Sequence, residues 1–145
     1  MSYKGYFKPK NPAKYRGDPT KIIYRSSWEL KLMLYLDTHP EIIEWASEEF
    51  FIPYRSPIDN KMHRYFPDFK VKKMLPNNQS ETIVIEIKPR SQSIPPTMKS
   101  KPTKRYLREV MTYGINEAKW KAANEYCKDR KWKFMVMTEK ELGIK

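Results

Sequence analysis

Two carboxylates and a lysine in the middle of the chain have types and spacing suited to catalysis. Asp68 follows Pro67 in the stretch YFPDF, and Glu86 and Lys88 stand two residues apart in the apolar stretch IVIEIK. If neighbouring strands bring Asp68 beside Glu86, the two carboxylates repel each other unless a cation lies between them. Mg²⁺ suits such a pair because it takes oxygen ligands and keeps several waters. Lys88 would then contact a phosphate or an attacking water.

The alternation of the IVIEIK strand predicts the face on which these charges lie. Ile83, Ile85 and Ile87 point to one side of the strand, which we expect to face the core. Glu86 and Lys88 then lie together on the opposite face, beside the segment that follows the strand. A structural ion pair on a solvated sheet face is the alternative explanation for the same residues.

The balance of charged residues narrows the classes of partner. The 145 residues contain 29 Lys and Arg against 17 Asp and Glu, a net charge of +12. Such a surface binds polyanions, most commonly nucleic acid, and acidic membranes are the alternative.

No apolar run approaches the roughly 20 residues of a membrane-spanning helix. The single cysteine excludes an intrachain disulfide and fits a reducing compartment. With only 4 glycines and no Gly-rich phosphate loop, we expect no nucleotide-binding motor.

The N-terminal quarter of the chain divides into an arm and a helix. Residues 1–25 are basic, aromatic and interrupted by Pro and Gly, which predicts an irregular arm whose aromatic rings stack on bases or pack on the domain. Ser26 and Glu29 then have the spacing of a capping box, and the helix they begin ends before Pro40. Glu29 shares a helical face with the apolar residues of this helix, so we expect it to point towards the sheet.

The central region predicts a run of strands. The candidates are residues 42–45, 49–54, 62–72 and 83–88. Because short turns connect the last three of them, we expect these three to form an antiparallel meander. Pro67 lacks a backbone donor, so its part of the third strand is predicted to lie at an edge or a bulge.

The C-terminal third returns to helix and then to strand. Residues 89–103 are rich in Pro, Ser and Lys and predict a mobile basic loop. A helix is predicted over residues 104–130, broken or bent at Gly114, and a final strand over residues 133–138. The whole chain is therefore predicted to form a single α/β domain over residues 1–145, with a mixed sheet flanked by helices.

These residues carry a resemblance to a known family. Pro67-Asp68 followed by Glu86-Ile87-Lys88 resembles the motif of the PD-(D/E)XK nucleases, whose restriction-endonuclease-like core runs α-β-β-β-α-β. The stretches YRSSWE, EEFFIPY, HRYFPDF, IEIKP and AKWKAANEYC resemble the head completion nucleases of tailed phages, in the TnsA-like branch of that family. The likeness covers most of the chain.

The resemblance implies a metal-dependent DNA endonuclease. Asp68 and Glu86 would hold Mg²⁺, or Mn²⁺ in its place, and Lys88 would orient water or stabilise charge on the phosphate. A glutamate on the first helix completes the site in such nucleases, and Glu29 matches that position, although a capping role for Glu29 is the alternative. DNA and phage capsid, portal or neck proteins would be the partners, in the host cytoplasm or the virion, with no membrane.

A non-catalytic DNA-binding or capsid-assembly protein that keeps the nuclease fold as a scaffold is the alternative function. The intact set of Asp68, Glu86 and Lys88 favours the enzyme. Four basic side chains are predicted phosphate contacts, and for each of them a solvated charge is an equally good explanation. They are Arg25, Arg64, Arg90 and Lys119.

Overall fold

The computed structural model describes residues 4–97 and 103–143. The strands are β1 (Gly5–Phe7), β2 (Ile22–Tyr24), β3 (Ile42–Ser47), β4 (Ile52–Arg55), β5 (Met62–Tyr65), β6 (Phe69–Met74), β7 (Ser80–Ile87) and β8 (Lys133–Met137). The α-helices are α1 (Ser27–Thr38), α2 (Arg90–Ser93) and α3 (Lys104–Asp129). Short 3₁₀ turns lie at Pro12–Lys14 and Pro76–Asn78.

The main sheet has four strands in the order β3-β6-β7-β8. The pairs β3–β6 and β6–β7 are antiparallel, and β7–β8 is parallel, because α3 carries the chain back across the sheet between them. One apolar cluster, which includes Leu32 and Leu36 of α1, covers one side. A second cluster, which includes Ala123 of α3 and Phe134 of β8, covers the other. The predicted α/β fold with a mixed sheet flanked by helices is confirmed.

Both antiparallel pairings of the predicted meander are present, but they lie in two separate sheets. The strand expected over residues 62–72 is broken into β5 and β6 by Phe66, Pro67 and Asp68. Pro67 is fully buried and has no backbone N–H to donate to a neighbouring strand, so the ladder stops there. As a result β5 pairs with β4 in a separate hairpin, and β3 instead takes the place beside β6 in the main sheet.

The N-terminal segment is part of the fold, and the prediction of an irregular arm is wrong for β1 and β2. These strands pair antiparallel, with Phe7 opposite Ile22. Phe7, Tyr15 and Ile22 are buried in the core, where both rings contact Trp45 edge-on. The carboxylate of buried Asp37 accepts hydrogen bonds from two backbone N–H groups of the segment, at 2.7 and 3.0 Å. Packing, rather than base stacking, therefore explains these two rings.

Helix α3 continues through Gly114, so of the break or bend predicted there the break is wrong. Thr103 caps its first turn by accepting a hydrogen bond from the Tyr106 N–H at 3.1 Å. Its C-terminal half packs on the sheet through Ala123 and Cys127, which are buried, whereas Leu107 on its N-terminal half is exposed. Neither this helix nor any other in the described part of the chain has the length and hydropathy to span a membrane.

The segment after β7 contains the helical turn α2, held at its start by a hydrogen bond of 2.8 Å from the Arg90 N–H to Oε1 of Glu139. Residues 98–102 of the predicted mobile loop lie outside the described residues. The mobility of residues 89–103 stays a prediction.

Candidate active site

Asp68 lies where three strands meet. Phe69 pairs with Ile85, so the register sets Asp68 opposite Glu86 on β7. Oδ2 of Asp68 accepts the backbone N–H of Ile87 at 2.8 Å, which holds the carboxyl against the end of that strand. On the other side, the backbone oxygen of Asp68 accepts the Glu48 N–H at 3.2 Å. The predicted adjacency of Asp68 and Glu86 is therefore present.

Glu86 is buried, with only 7% of its surface exposed. One carboxylate oxygen of Glu86 accepts a hydrogen bond of 2.9 Å from the Tyr65 hydroxyl. The other oxygen lies 3.8 Å from Nζ of Lys88. Burial, and then repulsion from Asp68, raises the pKa of Glu86 to about 7, and Lys88 and Tyr65 oppose that rise. Burial also raises the pKa of Asp68, while the Ile87 N–H and Lys88 oppose that rise.

This burial argues against the alternative explanation, an ion pair on a solvated sheet face. Ile85 is buried on the α1 side, as predicted, but Val84 on the opposite face has no exposed surface at all. The β4–β5 hairpin and α3 cover that face, and their buried Ile52, Tyr65 and Ala123 form its apolar cluster. Glu86 is therefore a carboxyl enclosed by protein.

Tyr65 is a site residue that the sequence analysis missed. Burial, and then the neighbouring Glu86 carboxylate, raises the pKa of Tyr65 well above its ordinary value, so it stays a hydrogen-bond donor. The tyrosine stands three residues before Asp68 in HRYFPDF. In an unbroken strand, Tyr65 and Asp68 would point to opposite faces because they stand three residues apart. The strand is instead broken between Tyr65 and Phe69, and both Tyr65 and Asp68 lie beside Glu86.

Glu29 reaches the same site from the first turn of α1. Oγ of Ser26 accepts the Glu29 N–H at 3.1 Å, which is one half of the predicted capping box. The Glu29 carboxylate accepts the backbone N–H of Arg25, at 3.4 Å, in place of the Ser26 N–H. Burial, and then repulsion from Asp68, raises the pKa of Glu29 to about 7. The Glu29 carboxyl therefore lies within the electrostatic reach of Asp68.

Glu48 is a second residue that the sequence analysis missed. It directly follows β3 and has a left-handed backbone with φ of 52°, which turns the chain away from the sheet. Its carboxylate forms an ion pair with Arg25. Burial raises its pKa, Arg25 opposes that rise, and Asp68 adds to it. The EEFFIPY stretch contained this residue, but it stood outside the expected strand over residues 49–54.

The carboxyl groups clustered around Asp68 are suited to binding a divalent cation. Glu29, Glu48, Asp68 and Glu86 are four carboxyls, and burial together with repulsion from Asp68 raises the pKa of the other three. Among the described residues no three His, Cys, Asp or Glu side chains are arranged to ligate one ion. An ion that binds through one or two carboxylates and keeps its remaining waters, as Mg²⁺ does, is consistent with both facts.

The four predicted phosphate contacts lie at different distances from the carboxyls. Arg25 pairs with Glu48, and Nζ of Lys119 is 5.6 Å from the centre of the Tyr65 ring, so both adjoin the site. Arg64 lies on the hairpin, 5.0 Å from the centre of the Phe51 ring. Arg90 begins α2, two residues after Lys88, and is exposed.

Two comparisons with known proteins bear on this arrangement. The family model described as "TnsA-like endonuclease N terminal" matches residues 39–139. The head completion nuclease of Enterobacteria phage T4 is 41% identical over 152 aligned positions, which cover 100% of this chain and 99% of that protein. The family match includes Glu48, Asp68, Glu86 and Lys88, and Glu29 precedes it. The match to the phage protein extends over Glu29 as well.

Proposed function

Because this chain belongs to the TnsA-like endonuclease family, we propose that it is a metal-dependent endonuclease of the PD-(D/E)XK type that hydrolyses phosphodiester bonds in DNA. The observation that carries the proposal is the pairing of Asp68 with Glu86 at the end of β7, with Lys88 3.8 Å from the Glu86 carboxylate. The net charge of +12 supports DNA as the substrate.

Asp68 and Glu86 would hold the ion, which we propose is Mg²⁺ with Mn²⁺ as a substitute. When bound, such an ion supplies positive charge that polarises a phosphoryl oxygen and a water molecule. Hydrogen bonds within the protein orient the carboxyls of Asp68 and Glu86 independently of the ion. The Ile87 N–H orients the Asp68 carboxyl, and the Tyr65 hydroxyl orients that of Glu86.

Lys88 supplies the positive charge that the protein itself brings to the phosphate. Its side chain is 28% exposed, so Nζ can contact both the Glu86 carboxylate and a ligand in solvent. We assign it to donate a hydrogen bond to a phosphoryl oxygen or to the attacking water, where a fixed charge stabilises the charge that develops in the transition state.

Glu29 completes the site. The Ser26 side chain accepts a hydrogen bond from the backbone N–H of Glu29, so the cap does not require the Glu29 carboxyl. The pKa of that carboxyl is about 7, so it changes protonation near neutral pH, which suits a group that accepts a proton from water. We therefore assign Glu29 to act on the attacking water beside Asp68.

The phage relative suggests where this activity is used. We propose that the protein trims or cuts DNA during completion of a phage head, with capsid, portal or neck proteins as partners. It would act in the host cytoplasm or on the virion. The support is the 41% identity to a head completion nuclease over the full length of both chains.

The test is incubation of the purified chain with duplex, single-stranded and branched DNA, each in Mg²⁺ and in EDTA. We expect cleavage in Mg²⁺ alone. DNA binding without cleavage of any form, in Mg²⁺ or Mn²⁺, would overturn the proposal and favour a non-catalytic DNA-binding or capsid-assembly protein.

A further inference from the structure

A cavity of about 550 Å³ lies between α2 and the N-terminal half of α3. Among its lining residues are Ile94, Pro96, Arg105, Tyr113 and Asn116. Its volume falls within the range of pockets that bind small ligands or single groups of larger ones. None of these residues belongs to the carboxyl cluster, so the cavity has no role in the mechanism described above.

Asn116 has an unpaired donor at this cavity. The side chain is buried, with 5% exposed, and its Nδ2 has no hydrogen-bond partner among the described residues. Buried amides are normally paired because an unmet donor costs free energy. Asn124 on the same helix shows the usual solution, since its Nδ2 donates to the Trp120 carbonyl at 3.0 Å. The unmet donor of Asn116 therefore points to a ligand that accepts a hydrogen bond.

The order of side chains along α3 indicates the shape of that ligand. Arg105 and Arg108 are exposed at one end of the cavity, Tyr113 is half-buried, and Asn116 is buried at the other end. Glu109 also lines the arginine end and accepts a hydrogen bond from Nε of Arg105 at 3.1 Å, which leaves a net positive charge there. A simple anion would place its charge beside the arginines and leave Asn116 unpaired. A nucleotide satisfies both ends, because its phosphates are anionic while its base is flat, neutral and bordered by hydrogen-bond acceptors.

The cavity adjoins the proposed active site along two chain segments. Ser91, which lines it, is three residues after Lys88, so their Cα atoms are at most about 11 Å apart. Asn116 stands three residues before Lys119 on α3, and Nζ of Lys119 lies 5.6 Å from the Tyr65 ring centre. A nucleotide held in the cavity therefore lies within reach of a phosphate bound at Lys88.

We propose that the cavity binds one unstacked nucleobase of the DNA, close to the scissile phosphate, and that Asn116 determines which base is preferred. Nδ2 of Asn116 donates to an acceptor on the base edge, the Tyr113 ring packs on the base face, and Arg105 and Arg108 contact phosphates. The inference rests on the proposed function, which supplies DNA as the ligand and puts the scissile phosphate at Lys88.

The test uses the full chain in EDTA, so that binding is measured without cleavage. The four deoxynucleoside monophosphates are titrated one at a time, with deoxyribose phosphate and inorganic phosphate as probes that lack a base. We expect one or two of the nucleotides to shift the side-chain amide NMR signal of Asn116 and to bind about tenfold more tightly than deoxyribose phosphate.

Two variants of Asn116 sharpen the test. Asn116→Leu has nearly the same shape and removes the unmet donor, so we expect it to stay folded and to bind all four nucleotides equally. Asn116→Ala provides the same comparison if leucine packs poorly, and Asn124→Ala is the matched control that keeps the preference. Nucleotides that bind no better than deoxyribose phosphate, or a base preference that survives both variants, would overturn the inference.

The two proposals fail separately. Cleavage of DNA in Mg²⁺ without nucleotide binding at Asn116 would remove the base pocket and leave the nuclease. Selective nucleotide binding by a chain that cuts no DNA would remove the nuclease and leave the pocket.

Discussion

The hydroxyl of Tyr65 donates a hydrogen bond of 2.9 Å to Oε1 of Glu86, and both side chains are buried. Tyr65 belongs to the β4–β5 hairpin, whereas Glu86 belongs to the main sheet. The hairpin therefore positions a carboxyl that it does not itself carry.

Tyr65→Phe should weaken metal binding while leaving the fold intact. The substitution removes one hydrogen bond from Glu86 and keeps the ring in its apolar cluster. Loss of such an orienting partner typically costs 10–100-fold in metal affinity, so we expect a loss of about that size. The check is cleavage rate as a function of Mg²⁺ concentration, with Tyr54→Phe in the same cluster as the control. Equal Mg²⁺ dependence in both variants would assign Tyr65 to packing alone.

Asp68→Asn and Glu86→Gln should each abolish cleavage and leave DNA binding unchanged or tighter. Each removes a negative charge that would hold the ion and repel phosphate. Asparagine still offers an oxygen to the Ile87 N–H, so the strand end should keep its geometry. Cleavage and DNA binding are measured side by side, with Asp59→Asn on the exposed hairpin turn as the control. Full activity in either site variant, or wild-type cutting in EDTA, would remove the proposed metal site.

The stability of the metal-free protein should fall as pH rises from 5 to 8. The pKa of Glu86 is about 7 in the folded chain and near 4.5 in an ordinary carboxyl. Folding therefore favours the protonated form, and the associated stability is full below pH 4.5 and is lost as pH passes 7. Glu29 changes stability in the same direction, since its pKa is also about 7.

Glu86→Gln isolates that effect. The glutamine cannot ionise, so the variant should lose less stability over this pH range, by an amount on the order of 3 kcal/mol at most. The difference corresponds to a melting temperature that falls by about 5–10 °C less than in the wild type. Thermal melts in EDTA across the range provide the measurement. Parallel curves for the two proteins would show that Glu86 is ionised without strain in the folded chain.

Lys88→Arg and Lys88→Ala should both lose at least about a hundredfold in cleavage rate, the scale of removing one charge contact to the transition state. The planar guanidinium keeps the charge but does not replace a compact ammonium at a single oxygen. Single-turnover cleavage at saturating Mg²⁺ is compared with melting curves, and Lys121→Arg on the exposed side of α3 is the control. A Lys88→Arg protein with near-normal rate would leave the lysine only a structural ion pair with Glu86.

Contact between the N-terminal segment and DNA is best tested by changing the charge of the segment. Deleting the segment would disturb the fold, because Phe7 and Tyr15 lie in the core. Removing residues 1–15 would take both rings out of the core and lower stability. Replacing the exposed Lys4 and Lys8 by Gln leaves the core intact. If both contact phosphate, the slope of log affinity against log salt should decrease by about 2. An unchanged slope, as expected for a Lys131→Gln control, would place the DNA elsewhere on the surface.

Features with a local cause were predictable from the sequence. Ser26 and Glu29 predict the start of α1, because an N-cap depends only on residues within one helical turn. The adjacency of Asp68 and Glu86 followed from the two strands that flank a single short turn. The length of α3 also followed from its sequence. The helix continues through Gly114 because one glycine costs a long packed helix only about 1 kcal/mol.

The types and the adjacency of Asp68, Glu86 and Lys88 could be predicted from the sequence, because alternation along a strand and pairing across a short turn depend on nearby residues alone. Long-range packing sets three further features: the face carrying Glu86 is buried, Tyr65 hydrogen-bonds to Glu86, and Glu48 lies beside Asp68. These outcomes depend on which distant strands pair once Pro67 has interrupted the ladder. That choice depends on the apolar surface that the whole chain can bury, and no local pattern contains it.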